Sequence, residues 1–141
     1  MKLTKRIEYA IAGLYFLAYV RPQQYVQVRT IAEEIDIPKR FLEQIFLTLR
    51  EHRLLDSKRG SHGGYRVIAD ITQLTLGQMF DILEPANTTS PPAYHCGAGT
   101  YVINAQTAVK EAMHAIHLDS LVTDDLLAEL EGARTSTMYY I

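Results

Sequence analysis

Two apolar stripes at helical spacing, cut by Asp36-Ile37-Pro38, constrain this chain more than any other feature. Val28, Ile31, Ala32 and Ile35 recur at i, i+3, i+4 and i+7, the pattern of a short helix with one buried face. Pro38 breaks that helix but suits the first turn of the next, where its missing N–H would have no intrahelical partner anyway. The next helix is expected to run to about His52, burying Phe41, Leu42, Ile45, Phe46 and Leu49. Its other face shows Lys39, Arg40, Glu43, Gln44, Thr48 and Arg50. Two helices joined by a three-residue turn read as a helix–turn–helix pair.

The flanking residues extend this pair into a larger pattern. Upstream, Thr4 can cap a first helix to about Tyr19, with Ile7, Ala10, Ile11, Leu14, Leu17 and Ala18 at helical spacing, and Pro22 ends it. Downstream, Leu54–Lys58 and Tyr65–Ala69 read as two short strands around the glycine-rich tip Arg59-Gly60-Ser61-His62-Gly63-Gly64. Thr75–Leu83 is a further short helix, and 84–99 a loop with three prolines and two glycines. Thr100 can cap a long helix to about Leu118, Thr123 a last one to about Glu131, and 135–141 carries no signal and is expected to fray. The expected fold is mainly α with a small β-hairpin wing: a winged helix-turn-helix followed by a long C-terminal dimerisation helix.

Composition narrows the class. At 141 residues, 48% apolar and 21% charged, the chain has the size and core content of one domain, or a small domain with an appendage, and wholesale disorder is excluded. The longest apolar run, Tyr9–Val20, is too short for a membrane span. Lys2, Lys5 and Arg6 before that run resemble the start of a secretory signal, but Glu8 breaks the pattern and no small-x-small cleavage site follows Val20. With Cys96 as the single cysteine, an intrachain disulfide framework and a four-cysteine zinc site within one chain are excluded, and a reducing cytoplasm is the expected location, with no membrane partner. The overall net charge of −2 hides an asymmetry. Through Arg66 there are twelve Lys/Arg against seven Asp/Glu, a net of +5, whereas the remainder has two against nine, a net of −7. One basic half is what a chain facing nucleic acid carries.

On a helix entering the major groove, Arg and Lys suit guanine edges and Gln suits adenine. The residues expected to meet DNA are Arg29, Lys39, Arg40, Glu43 and Gln44 on the helix pair, and Lys58, Arg59, His62, Gly63, Tyr65 and Arg66 on the hairpin. A solvated charged helix beside a generic hairpin gives the same pattern of residues, and winged helices also serve as non-catalytic adaptors for other proteins. An enzyme is not expected: the chain has no nucleotide-binding glycine loop, no Gly-x-Ser-x-Gly and no His-Glu-x-x-His.

Several segments together resemble the Rrf-two family of bacterial winged-helix transcription regulators, the family of IscR, NsrR and CymR. They are Met1-Lys-Leu-Thr4 with Tyr9-Ala10, Ile31-Ala32-Glu33, and Ile37-Pro38 followed by Phe41-Leu42-Glu43-Gln44-Ile45-Phe46. Leu49-Arg50, Leu54, the wing Arg59–Arg66 and Thr75-Leu76-Gly77 continue the match, which covers residues 1–84. The resemblance implies a homodimer on a palindromic operator, usually as a repressor. It divides the chain into a DNA-binding domain over 1–84, a loop and sensing segment over 85–99, dimerisation helices over 100–134 and a tail over 135–141. Val102, Ala105, Val109, Ala112 and Ile116, spaced 3-4-3-4, form a stripe suited to the dimer seam, or to closing the chain's own core.

The cluster-binding members of that family carry three cysteines in the loop before the long helix, and this chain carries only Cys96. A conventional three-cysteine iron–sulfur cluster is therefore not expected. Glu8, which falls where some relatives place an acidic ligand, leaves a mixed metal or cluster site with His95 and Cys96 as the alternative. His114 and His117, at i, i+3 on one expected helix face, are further candidates. The effector is expected to be a small molecule, another metal arrangement or thiol oxidation.

Overall fold

The structure, a computed structural model, describes residues 3–86, 97–125, 128, 129 and 132. They fall into two compact units, one formed by the chain up to Ile71 together with the residues from Val122, the other by Thr72–Leu121. The segment 87–96, which holds the Thr-Thr-Ser-Pro-Pro stretch, His95 and Cys96, and the tail expected to fray, 135–141, lie outside the described residues.

In the first unit α1 spans Lys5–Tyr15, and Thr4 caps it by accepting from the Ile7 N–H at 3.4 Å. Regular helix was expected to Tyr19; instead a π-helical turn covers Phe16–Val20, closed by the Arg21 N–H on the Phe16 carbonyl at 3.1 Å. Pro22 forbids a regular continuation, and the wider turn lets the chain leave the helix with Phe16, Leu17 and Val20 still buried. Helix α2, Val28–Glu34, buries Val28, Ile31 and Ala32, and α3, Lys39–Glu51, follows Pro38. Both α1 and α2 pack on α3.

The core stripe of α3 is Leu42, Ile45, Phe46 and Leu49. Phe41, expected among them, is not in it: its side chain is 56% exposed. Successive residues on a helix are about 100° apart, so a stripe centred on Leu42, Ile45, Phe46 and Leu49 leaves Phe41 at its edge. Leu47 is also exposed, in the middle of the polar face.

Strands β1, Leu55–Lys58, and β2, Gly64–Val67, pair antiparallel with Leu55 opposite Val67 and Lys58 opposite Gly64. The wing is tied to the α1–α2 connection by a backbone bridge, Val26 N–H to Tyr65 carbonyl at 2.9 Å and Tyr65 N–H to Val26 carbonyl at 2.8 Å. Gly64 makes that approach feasible. Its φ is +130°, and a Cβ there would run into the Val26 backbone.

In the second unit Thr75 and Gln78 form a capping box that starts α4, Leu76–Leu83. Residues 85 and 86 are helical where loop was expected. Helix α5 spans Ala98–His114, beginning two residues before the expected Thr100 cap, with Gly97 in the cap position. It also ends four residues before the expected Leu118. There the Ile116 carbonyl accepts from the Leu76 N–H and the Leu118 N–H donates to the Leu74 carbonyl, each at 2.8 Å, while Leu118 is fully buried. Those extended partners and that burial outweigh another helical turn, so Ile116 and His117 leave the helix face assigned to them by spacing alone. Gly77 lets α4 and α5 come together, since a Cβ there would collide with the His114 ring. Residues 124, 125, 128, 129 and 132 are helical. Among the described residues no helix is long and apolar enough to cross a membrane.

Candidate nucleic-acid interface

The surface of α3 is built by its buried stripe. Packing Leu42, Ile45, Phe46 and Leu49 inward turns Lys39, Arg40, Glu43 and Gln44 outward, all four exposed. Lys39 Nζ lies 3.4 Å from Glu43 Oε1, an exposed i, i+4 pair that costs little to open. Arg40 and Gln44 have no side-chain partner among the described residues, so their donors and the Gln44 acceptor stand ready for an outside group. On α2, Arg29 is held by Glu33 at 3.0 Å, also on the surface. Between the starts of α1 and α3 lies a cleft of about 410 Å³, lined by Lys5, Arg6, Tyr9, Phe41, Gln44 and Ile45.

The wing sorts its candidates differently. Lys58, Arg59 and His62 are exposed; Arg59 and His62 have no side-chain partner among the described residues, while Lys58 stands 5.9 Å from the Tyr25 ring centre. Arg66 is turned onto the protein: its guanidinium sits 4.7 Å from the same ring centre and 3.6 Å from Asp56 Oδ2, and its Nε is buried without a partner. The Tyr25 hydroxyl donates to Asp56 in a short hydrogen bond. That bond is the main reason the Tyr25 phenol is pushed up, with burial adding to it. It is also the main reason the Asp56 carboxyl is pulled down, helped by the Ser57 N–H and Arg66. Tyr65 stacks its ring edge-on against Phe46, centroids 5.2 Å apart, and so joins wing to core. Gly63 is buried and its N–H is taken by the Gly60 carbonyl at 3.0 Å. A second cleft, of about 330 Å³, runs between the wing tip and the start of α2, with Arg21, Gln27, Thr30 and His62 on its walls.

Sequence reasoning misses four contributors here. Tyr25 lies in a connection with no periodicity to flag it. Phe41 belongs to the apolar stripe by spacing but lies at its edge, where it is exposed. Lys5 and Arg6 were read as N-terminal charge, yet they line the cleft beside Gln44.

Of the metal candidates, His95 and Cys96 lie outside the described residues, while Glu8, His114 and His117 are held by protein groups. Glu8 accepts from Lys5 Nζ at 2.7 Å, the chief cause of the raised Lys5 pKa. His114 faces the Lys110 carbonyl with Nδ1 and Asp81 with Nε2, each at 2.9 Å, and His117 Nδ1 lies 3.1 Å from the Thr72 carbonyl. Among the described residues, which do not include His95 and Cys96, no three His, Cys, Asp or Glu side chains gather as a metal centre would require. On α5, Val102 is half-buried while Ala105, Val109 and Ala112 are exposed, Val109 by 49%.

Comparison with known proteins agrees with this geometry. The Rrf2 family model, described as "Iron-dependent Transcriptional regulator", matches residues 3–124. The HTH-type transcriptional regulator IscR of Vibrio parahaemolyticus is 28% identical over 138 residues, 92% of this chain and 82% of that protein. The HTH-type transcriptional regulator CymR of Bacillus subtilis is 27% identical over 143 residues, spanning both chains fully. The solved structure of that CymR, the global cysteine regulator of Bacillus subtilis, superposes with a TM-score of 0.69 over 86% of this chain and 95% of its own, at 24% identity, and shows the shared fold. Helix pair, wing and sequence match lead to one conclusion: the chain belongs to the Rrf2 family and is a DNA-binding winged-helix transcription regulator.

Proposed function

We propose that this regulator acts as a homodimer that reads a palindromic operator through the N-terminal half of α3 and represses transcription from the cytoplasm, without catalysis of its own. The observation that carries the reading is the outward face of α3. Arg40 and Gln44 are two unpartnered, base-matching side chains on the part of a recognition helix that enters the major groove. Lys39 and Glu43 flank them, the latter suited to accept from cytosine, and Arg29 on α2 approaches the backbone. In the wing, Lys58, Arg59 and His62 meet phosphates or the adjacent minor groove. Arg66, Tyr65 and Gly63 act from behind, holding the hairpin in place.

The dimer half of the proposal is supported by the apolar stripe Val102, Ala105, Val109 and Ala112, most of it exposed on one chain. Operator palindromy requires a two-fold protein. The regulating signal is of redox, metal or small-molecule chemistry and enters through the segment 85–99, which carries the chain's one thiol, Cys96, beside His95. DNA affinity that ignores both Cys96→Ala and Glu8→Ala would remove that segment and Glu8 from the sensing role.

Selection from a pool of random duplexes tests the whole reading. It should enrich two inverted half-sites about one helical turn apart, or a multiple of that. Binding to no duplex, at low salt as well as high, would favour the adaptor role for the same fold.

A further inference from the structure

We infer that Phe41 is a specificity-determining residue: its ring packs on the C5-methyl group of a thymine next to the base that Gln44 reads. This rests on α3 being the DNA-reading helix and adds a base contact to it. Phe41 is 56% exposed although the core stripe of α3 lies directly beside it. An exposed aromatic ring leaves a large apolar surface in water, a cost recovered only when something apolar covers it. Its place on the helix names the cover. The Phe41 N–H donates to the Pro38 carbonyl at 3.1 Å, which sets it in the first turn, the end of a recognition helix that enters the groove. Gln44 follows it one turn on, and the two line one cleft with Tyr9, Ile45, Lys5 and Arg6.

The major groove presents an A·T pair as two distinct surfaces: the adenine N6 and N7 edge, which an amide side chain can bond twice, and the thymine methyl, which only an apolar group can read. Gln44 and Phe41 supply one of each from adjacent turns. Lys5 and Arg6 on the rim of the cleft bring positive charge to the neighbouring phosphates, so charge and apolarity both match a duplex. Leu47 is exposed on the same helix but lies more than a turn further from its N-terminal end.

The test removes only the methyl group. In a duplex obtained by selection, each thymine is replaced in turn by deoxyuridine. One thymine in each half-site should then cost wild-type protein about fourfold in affinity, the size expected for one buried methyl. Phe41→Ala should bind the thymine and uracil duplexes equally, with retained binding to random duplex showing that the variant is folded. The inference is overturned if no thymine is sensitive in the wild type. It is equally overturned if Phe41→Ala keeps the same discrimination, because another group then reads the methyl. In either case specific binding survives and the DNA-reading role of α3 stands, whereas failure to select any duplex removes that role and this contact together.

Discussion

Tyr25, Asp56 and Arg66 show how a few side chains can fix what a whole hairpin does. The phenol, the carboxylate and the guanidinium hold one another at the base of the wing, so Arg66 is a brace while Lys58 and Arg59 stay exposed. The pH dependence of this brace has a defined sign. Asp56 is pulled below its ordinary value of about 4, so its contribution is complete above that value and is lost as pH falls through the lowered one. Tyr25 is pushed above its ordinary value of about 10, so its contribution is complete below that value and is lost as pH rises through the raised one. Tyr25→Phe should therefore be less stable than wild type in urea at neutral pH, with the difference vanishing in acid. Parallel pH profiles for the two proteins would contradict the brace. Basic residue types at the wing were legible in the sequence, but their division of labour was not, because it depends on Tyr25 and Asp56 being brought together from 31 positions apart.

At the scale of elements, the strongest periodicities were read best. Helices α2, α3 and α4 end within a residue or so of where their stripes and caps place them, because Pro38 and the Thr75 capping box act locally. The C-terminal end of α5 departs from its expected place because the pairing of 116–118 with 74–76 is a tertiary effect that no local signal announces. The wing makes a quantitative prediction. Lys58→Ala and Arg59→Ala should each reduce the slope of log affinity against log salt by about 0.9 for every phosphate left without its cation. Arg66→Ala should instead weaken binding with little change of slope. Unchanged slopes for both Lys58→Ala and Arg59→Ala would remove the wing from the phosphate interface. Between α4 and α5, Gly77→Ala should cost about 1–3 kcal/mol by forcing the His114 ring aside. Chemical denaturation reads this directly, and an unchanged midpoint would mean that the two helices separate at no cost.

For the whole molecule, the contrast between a half of net +5 and a remainder of net −7 puts the charge that suits DNA in the first half. Val109, half-exposed on the apolar stripe of α5, is the place to test association. Val109→Glu would bury an unpaired charge in a two-fold seam and should sediment as a monomer at concentrations where wild type is dimeric. A dimer of undiminished stability would put the seam elsewhere. The central claim is that α3 reads bases, and Arg40→Ala tests it most directly when its affinity is measured at one salt concentration on a selected duplex and on random duplex. A bidentate contact to guanine predicts a loss of about 1–3 kcal/mol on the selected duplex and almost none on the random one. Equal losses on both duplexes would make Arg40 a phosphate contact and contradict the account.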